Sequence, residues 1–464
     1  MSSHRLGIDI AESTLSAALL NESLRVEMST VVPRTTSTTA GLEDLLDQVL
    51  ADVDPSQLSY VAFVTTAGRE ALERQDLAGV GALRISAPAS VSVSPMSTWP
   101  PELAGIVARE VSIVRGGHDY NGLPLADLDT EAVRVFAEKC RDSAETIAIT
   151  GLSSTVNPEH ELRAAGIVQA VLGRGTPMTL AHETGGIGLL ERENATILNA
   201  ALIRSFARAL RARNDMLSRR DSTSQIYVAQ NDGTLLSEGE AARRPILTIE
   251  STISHAMRGA AHLCGELNAV VAYAQPEAIT FGTLIDGYPQ ESSLPTDIAS
   301  IRTRNRMPDL ITVALPEPLD PARPILTARD RQRCAVAVRR MAGTHHDLPL
   351  IAAGRIAEAL KQLPDDPAHQ LIVVDHAGAV AAVGAAVADV SGSVDRTFDY
   401  ERRSREECLA STVEAARMAA VRAGADIRHI RVDDVRETPL GYSPGRGARV
   451  RVRAVGPVLN PLST

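Results

Sequence analysis

Three short strand-like segments, Leu6 to Ile10, Leu15 to Leu20 and Leu24 to Val32, follow one another at the start of the chain with only short stretches between them. Runs so short and so closely spaced cannot be helices. The chain therefore opens as a hairpin-linked sheet rather than as a strand–helix–strand unit. Beyond this opening the pattern alternates. Gly41 to Val53 and Thr130 to Arg141 have helical periodicity, Tyr60 to Thr65 and Thr146 to Leu152 read as buried strands, and a long helical stretch runs from Leu189 to about Arg219. The sequence thus specifies an α/β protein with helices covering its sheets.

The polar segment Arg219 to Ser224 reads as a linker. A second strand-rich unit is expected from Gln225 onward, with a strand over Ala269 to Ala274 and a hairpin over Ile279 to Pro289. Two similar halves are expected on this pattern. Residues 314 to 324, ALPEPLDPARP, form a surface connection, because successive prolines remove the amide donors that a helix or central strand needs. From Ser404 the tail reads as an amphipathic helix followed by a closing hairpin built from IRVDDVRETPLGY and RVRVRAVG.

Composition narrows the function classes. At 464 residues two or three packed domains are expected, and an aromatic share of 3% means a core of Ala, Val, Leu and Ile. The net charge of -10 disfavours nucleic acid and anionic membrane surfaces. Cys140, Cys264, Cys334 and Cys408 are too scattered for a zinc site or a disulfide framework. The N-terminus MSSHRLGIDIAES lacks the apolar stretch of a secretory signal, so a cytoplasmic location is expected.

Eight blocks, taken in order, carry a resemblance: LGIDI near the start, VRGGHDYNG at 114 to 122, TGLSSTVNPEHELRAAGIV at 150 to 168, LAHETGGIGLLERENATILNAAL at 180 to 202, QNDGTLLSEGEAARRPILT at 230 to 248, HAMRGAA at 255 to 261, RMPD at 306 to 309 and HAGAVAAVGAAVADVSGSVDR at 376 to 396. Together they resemble the A-type subunits of the hydantoinase/oxoprolinase family. The resemblance implies a duplicated actin-like ATPase fold, shared with sugar kinases and heat-shock chaperones, with a cleft between its halves. It implies residues 1–178 as an N-terminal domain and 179–464 as a main domain including a C-terminal cap. It also implies ATP and Mg²⁺ as cofactors, a small cyclic amide as substrate (hydantoin, oxoproline or lactam), and a B-type subunit or an A-type paralogue as partner.

In that fold, glycine-rich hairpin turns bring bare backbone amides up to the phosphates. Here the first turn reads Asp9, Ile10, Ala11, Glu12, Ser13, and the second reads Tyr273, Ala274, Gln275, Pro276, Glu277. Glycines are also absent at Ala299 and Ser300, at 315 to 318, and after Gly354. A carboxylate about 4 Å from a phosphate charge costs about 4 kcal/mol at an effective dielectric of 20. The expectation is an A-type subunit whose own ATP hydrolysis is weak or lost. The alternative is a non-catalytic paralogue that scaffolds or regulates an active partner.

Candidate catalytic residues are Asp9, His118, Asp119 and Asp232, and candidate cofactor-binding residues are Ser13, Thr14, Gly354 and Gly378. Asp9 either orients a metal-bound water or caps its turn. His118 and Asp119 form either a proton relay or a glycine-rich turn bonded to its own backbone. Gln230 to Asp232 close a strand, where they either meet a substrate amide or make a turn. No metal-ligand set is nominated, and His345, His346 and Asp347 read as an exposed loop.

Overall fold

A computed structural model describes residues 4–459 apart from 36–37, 52, 221, 223, 346, 365–368 and 442–446. The opening hairpins are present as β1 (His4–Ile10), β2 (Thr14–Leu20) and β3 (Val26–Pro33), paired antiparallel. Helix α1 (Thr38–Val49) returns the chain to β4 (Leu58–Thr65), which lies parallel to β1. Every residue of β4 is buried, which explains its apolar run YVAFV.

A separate four-stranded sheet follows, all parallel, in the order β6-β5-β7-β8. Its strands are β5 (Val80–Ala87), β6 (Ala108–Arg115), β7 (Thr146–Gly151) and β8 (Met178–Leu180). Helices α2 (Thr130–Cys140) and α3 (Glu159–Leu172) connect them. The long helix α4 (Leu189–Ser218) then packs across β7 and leads back to the first sheet.

The expected start of a second unit at Gln225 is not where it begins. Strand β9 (Gln225–Ala229) pairs parallel with β4, and β10 (Leu235–Ser237) folds back on β9, so both extend the first sheet. Local periodicity identifies a strand but not its distant partner. Helix α5 (Ser251–Cys264) then opens the second half. There β11 (Ala269–Gln275), β12 (Ala278–Ile285), the short β13 (Tyr288–Pro289), β16 (Leu310–Ala314), β17 (Leu350–Ala353) and β18 (Leu371–Val373) make the second sheet. A small hairpin of β14 (Thr296–Ile298) and β15 (Ile301–Thr303) precedes β16, and α6 (Ala328–Ala342) precedes β17.

The two sheets repeat one topology. In the first the order β3-β2-β1-β4-β9 has two antiparallel pairings and then two parallel ones; in the second β16-β12-β11-β17-β18 has the same. This repetition is the duplicated, actin-like arrangement. After β18, α7 (Val380–Val387) leads into β19 (Val390–Asp399), and α8 (Arg405–Arg422) into the hairpin β20 (Arg431–Pro439) and β21 (Gly447–Gly456). The tail hairpin forms as expected, and it joins β19 and β10 to complete a nine-stranded first sheet.

Helices α5 and α7 cross between the two sheets, α7 against β1, β2 and β4, and α5 against β11 and β13. Their backbones touch at Gly259 and Gly384. A Cβ at Gly384 would stand 1.8 Å from the His255 carbonyl oxygen, and one at Gly259 would stand 2.0 Å from that of Val380. Bare backbone at the crossing lets the halves approach this closely. The four cysteines are free, and among the described residues no helix is long and apolar enough to cross a membrane.

Candidate functional site

The β1–β2 and β11–β12 turns are equivalent positions in the two repeats, and they face each other. A cavity of about 300 Å³ lies between them, lined by Ala11 to Thr14, by Thr65, Thr66 and Arg69 beyond β4, by the start of α5, and by Tyr273, Gln275 and Glu277. A second cavity of about 520 Å³ adjoins it through Thr14 and is lined by Gly354, Arg355 and Gly378. All four residues singled out for cofactor binding, Ser13, Thr14, Gly354 and Gly378, therefore line this one cleft. Gly354 also has a local reason to be glycine. Its φ is +98°, and a Cβ would lie 2.3 Å from the Ala274 carbonyl oxygen.

Asp9 ends β1 just beneath the cleft and is 3% exposed. It accepts a hydrogen bond of 3.5 Å from Thr252 Oγ1 in the first turn of α5. Burial pushes its carboxyl up to about 7, with the Thr252 bond opposing. A carboxyl titrating near neutrality can give or take a proton at working pH. The same shift has a consequence for stability. The folded pKa of about 7 lies above the unfolded value of 3.8, so the native state holds a proton that the unfolded chain has released. Stability from this group is complete below about pH 4 and is lost as pH rises to about 7, by about 4 kcal/mol at most. Urea unfolding at pH 5 and pH 8 is expected to show a loss in wild type that Asp9→Asn does not share. Equal losses in both proteins would refute the assignment.

The cavity between the two turns is predominantly acidic. Glu12, Glu250 and Glu277 line the first cavity, and the guanidinium of Arg69 is shared between two of them. Its Nη1 lies 3.6 Å from Glu12 Oε2, and its Nη2 donates to Glu250 Oε1. At the first turn, the Ala11 amide is bonded to the Thr14 carbonyl. At the second, Leu315 and Leu319 donate their amides to the carbonyls of Glu277 and Pro276, so the Pro-rich segment is folded onto the turn. Glu250 and Arg69 have no sequence signature as site residues, because the pair joins positions 181 apart. Arg355, in the second cavity, was equally silent.

The other nominated residues lie elsewhere. His118 is buried, stacked on His160 with ring centroids 4.3 Å apart, and burial followed by His160 lowers its pKa. Asp119 accepts from the amides of Asn121 and Leu123, the bonding of a self-contained turn. Asp232 accepts from the amide and hydroxyl of Thr234, with Arg453 Nη1 4.0 Å from its other oxygen. Neither His118, Asp119 nor Asp232 is among the residues lining the cleft cavities. Ala299 and Ser300 form the β14–β15 turn with φ of 48° and 63°. A glycine pair would serve that hairpin turn, which needs positive φ at both positions, so its absence there bears on turn strain and not on anion binding. Among the described residues no group of three or more His, Cys, Asp or Glu is placed to hold a metal ion, and His346 lies outside the described residues.

Residues 5–172 match the sequence profile of the hydantoinase/oxoprolinase N-terminal region. Among solved structures, the fold is similar to an ATP-dependent caprolactamase from Pseudomonas jessenii, with a TM-score of 0.78 at 14% identity over 98% of this chain and 88% of that one. It is also similar to a nucleotide-free acetone carboxylase from work on ATP-dependent acetone carboxylation, with a TM-score of 0.63 at 14% identity over 99% of this chain and 89% of that one. No protein of curated function matches the sequence.

Proposed function

From a chain whose residues 5–172 match the hydantoinase/oxoprolinase N-terminal region, we infer an A-type subunit of an ATP-dependent enzyme acting on a small cyclic amide, with its own ATP hydrolysis weak or lost. The family region, the repeated sheets with a cleft between them, and the two ATP-dependent enzymes of similar fold support the first part of this reading. The lining of the cleft supports the second, and it is the observation that carries it.

A triphosphate brings several negative charges to the two turns. They would meet Glu12, Glu250 and Glu277, with Arg69 already paired to two of these three. At about 4 kcal/mol per close pair, this opposes binding more strongly than a few amides favour it. The second turn also lacks an amide donor at Pro276 and is covered by the 315–319 segment. These residues do not fit Mg²⁺·ATP, and no chemical step is assigned through it. Asp9, beneath the cleft and not among its lining residues, is the nearby group best suited to proton transfer.

Calorimetric titration with Mg²⁺·ATP is expected to give a Kd weaker than about 1 mM, equivalent to less than about 4 kcal/mol of binding. Phosphate release with hydantoin, 5-oxoproline and caprolactam should stay at background for the chain alone. Micromolar binding, or turnover abolished by Asp9→Ala, would overturn the weak-ATPase reading. The same cleft chemistry favours the second reading, a non-catalytic paralogue that scaffolds or regulates an active complex. The two separate when the chain is combined with a B-type subunit: activity that depends on Asp9 supports the enzyme subunit, and activity indifferent to it supports the scaffold. A cytoplasmic location and a division of the chain near residue 178 belong to this same reading.

A further inference from the structure

We propose that a third, smaller cavity, between the four-stranded parallel sheet and the nine-stranded sheet, binds a small carboxylate with a short apolar chain. The cavity measures about 60 Å³, room for roughly four to six water-sized positions. That suits a ligand of about four to six heavy atoms and excludes a nucleotide. It is formed where β8 and α4 meet the loops after β9 and β15 and the start of β19, and it shares no lining residue with the cleft.

Its walls differ in chemistry. One side is apolar, with Leu236, Ile246 and Ala419. The rest is polar: Arg243, Glu183 and Glu240 line it, as do Arg306, Arg244 and Ser393, and each of these last three has a buried atom without a hydrogen-bond partner: Nη1, Nε and Oγ respectively. The carboxamides nearby are already engaged. Asn199 donates to Thr179 Oγ1 and the Arg243 carbonyl, Gln230 to Thr234, Leu235 and Ser391, and Asn305 to the Ile246 carbonyl. What is missing is therefore acceptors, since all three unmet groups can donate.

Charge points the same way. Arg244 is balanced by Glu183 and Glu240 at 3.9 and 3.8 Å. Arg306 has no ion pair within 4 Å among the described residues; it lies in the field of Arg451, which opposes its charge, and of Glu291, Asp232 and Asp395, which favour it. A carboxylate would supply acceptor oxygens to the unmet guanidinium nitrogens and the Ser393 hydroxyl, while its chain covered the apolar wall. The inference does not rest on the reading of the cleft.

The test uses the full chain, without nucleotide or partner, and follows binding of acetate, propionate and butyrate by saturation-transfer NMR and calorimetry. Propionamide serves as neutral isostere and bicarbonate as an acid without a chain. At least one of the three acids is expected to bind with submillimolar Kd, with propionamide and bicarbonate at least tenfold weaker. Arg306→Met should weaken the acid at least tenfold and Ser393→Ala severalfold. Should Arg306→Met fail to fold, Ser393→Ala decides. The proposal is overturned if no acid of the series binds, leaving water as the occupant; if the amide or bicarbonate binds as tightly as the acid; or if Ser393→Ala leaves binding unchanged.

Discussion

Gly384→Val is expected to yield no soluble folded protein, and the milder Gly384→Ala to cost about 3 kcal/mol or more. The reason is local and steric. The new Cβ would stand 1.8 Å from the His255 carbonyl oxygen and 2.9 Å from the Gly259 amide nitrogen, and both are helix backbone rather than flexible side chain. Relief requires α5 and α7 to separate, yet α7 is clamped on its other side by β1, where a Cβ at Gly7 would lie 1.8 Å from the Ala382 carbonyl oxygen. Overpacking in a core that can yield costs about 1–3 kcal/mol; here three layers would have to yield together. Gly166, inside α3 with nothing within 4 Å of its would-be Cβ, is the control. Gly166→Ala should gain about 0.5–1 kcal/mol from helix propensity alone. Urea unfolding of both variants decides the matter, and a Gly384→Ala protein within 1 kcal/mol of wild type would contradict the close crossing.

Glu193→Ala should cost about 3–5 kcal/mol. Arg84, in the centre of the parallel sheet, is 0% exposed, and Glu193 on α4 is 2% exposed. Arg84 Nε donates to Glu193 Oε1 at 2.8 Å, its Nη2 to Oε2, and its Nη1 to the Ser90 and Val93 carbonyls. Removing the carboxylate strands a guanidinium that has no route to water. Replacing both partners, as in Arg84→Met with Glu193→Leu, should restore most of the loss. The recovery should be incomplete, because the Ser90 and Val93 carbonyls lose their donor. Thermal and urea unfolding of the single and double variants measure this, and a double variant no better than Glu193→Ala would show that burial of the charge is not the source of the loss.

The elements most readable in the sequence were those with local causes. The opening hairpins, the buried run of β4, the long helix α4 and the closing tail hairpin all lie within a few residues of where periodicity places them. The duplication could be anticipated from alternating patterns, but the destinations of β9, β10 and β19 could not, since a strand's apolar faces do not name its neighbour. At the candidate site, the family resemblance pointed to Ser13, Thr14, Gly354 and Gly378, which line one cleft, because the blocks that carry the resemblance are short stretches of chain. Arg69 paired with Glu250, and Arg306 lining one cavity with Ser393, were illegible for the opposite reason: each depends on segments far apart in sequence meeting in space. Ala299 and Ser300 show a further limit. A missing glycine pair resembles a missing phosphate turn until the hairpin around it is seen.

The nine-stranded sheet draws its members from widely separated stretches: β1 ends at Ile10, and β19 begins 380 residues later at Val390. At translation speeds of about 5–20 residues per second, a nascent chain would wait roughly 20–80 s between emergence of the first strand and arrival of the one that pairs with β10. Strand β10 ends at Ser237, so for roughly the last 8–30 s of that interval it would present an unpaired edge, open to mispairing. Biogenesis of this protein should consequently lean on ribosome-associated holding factors and suffer more from starvation of them than its finished stability would suggest.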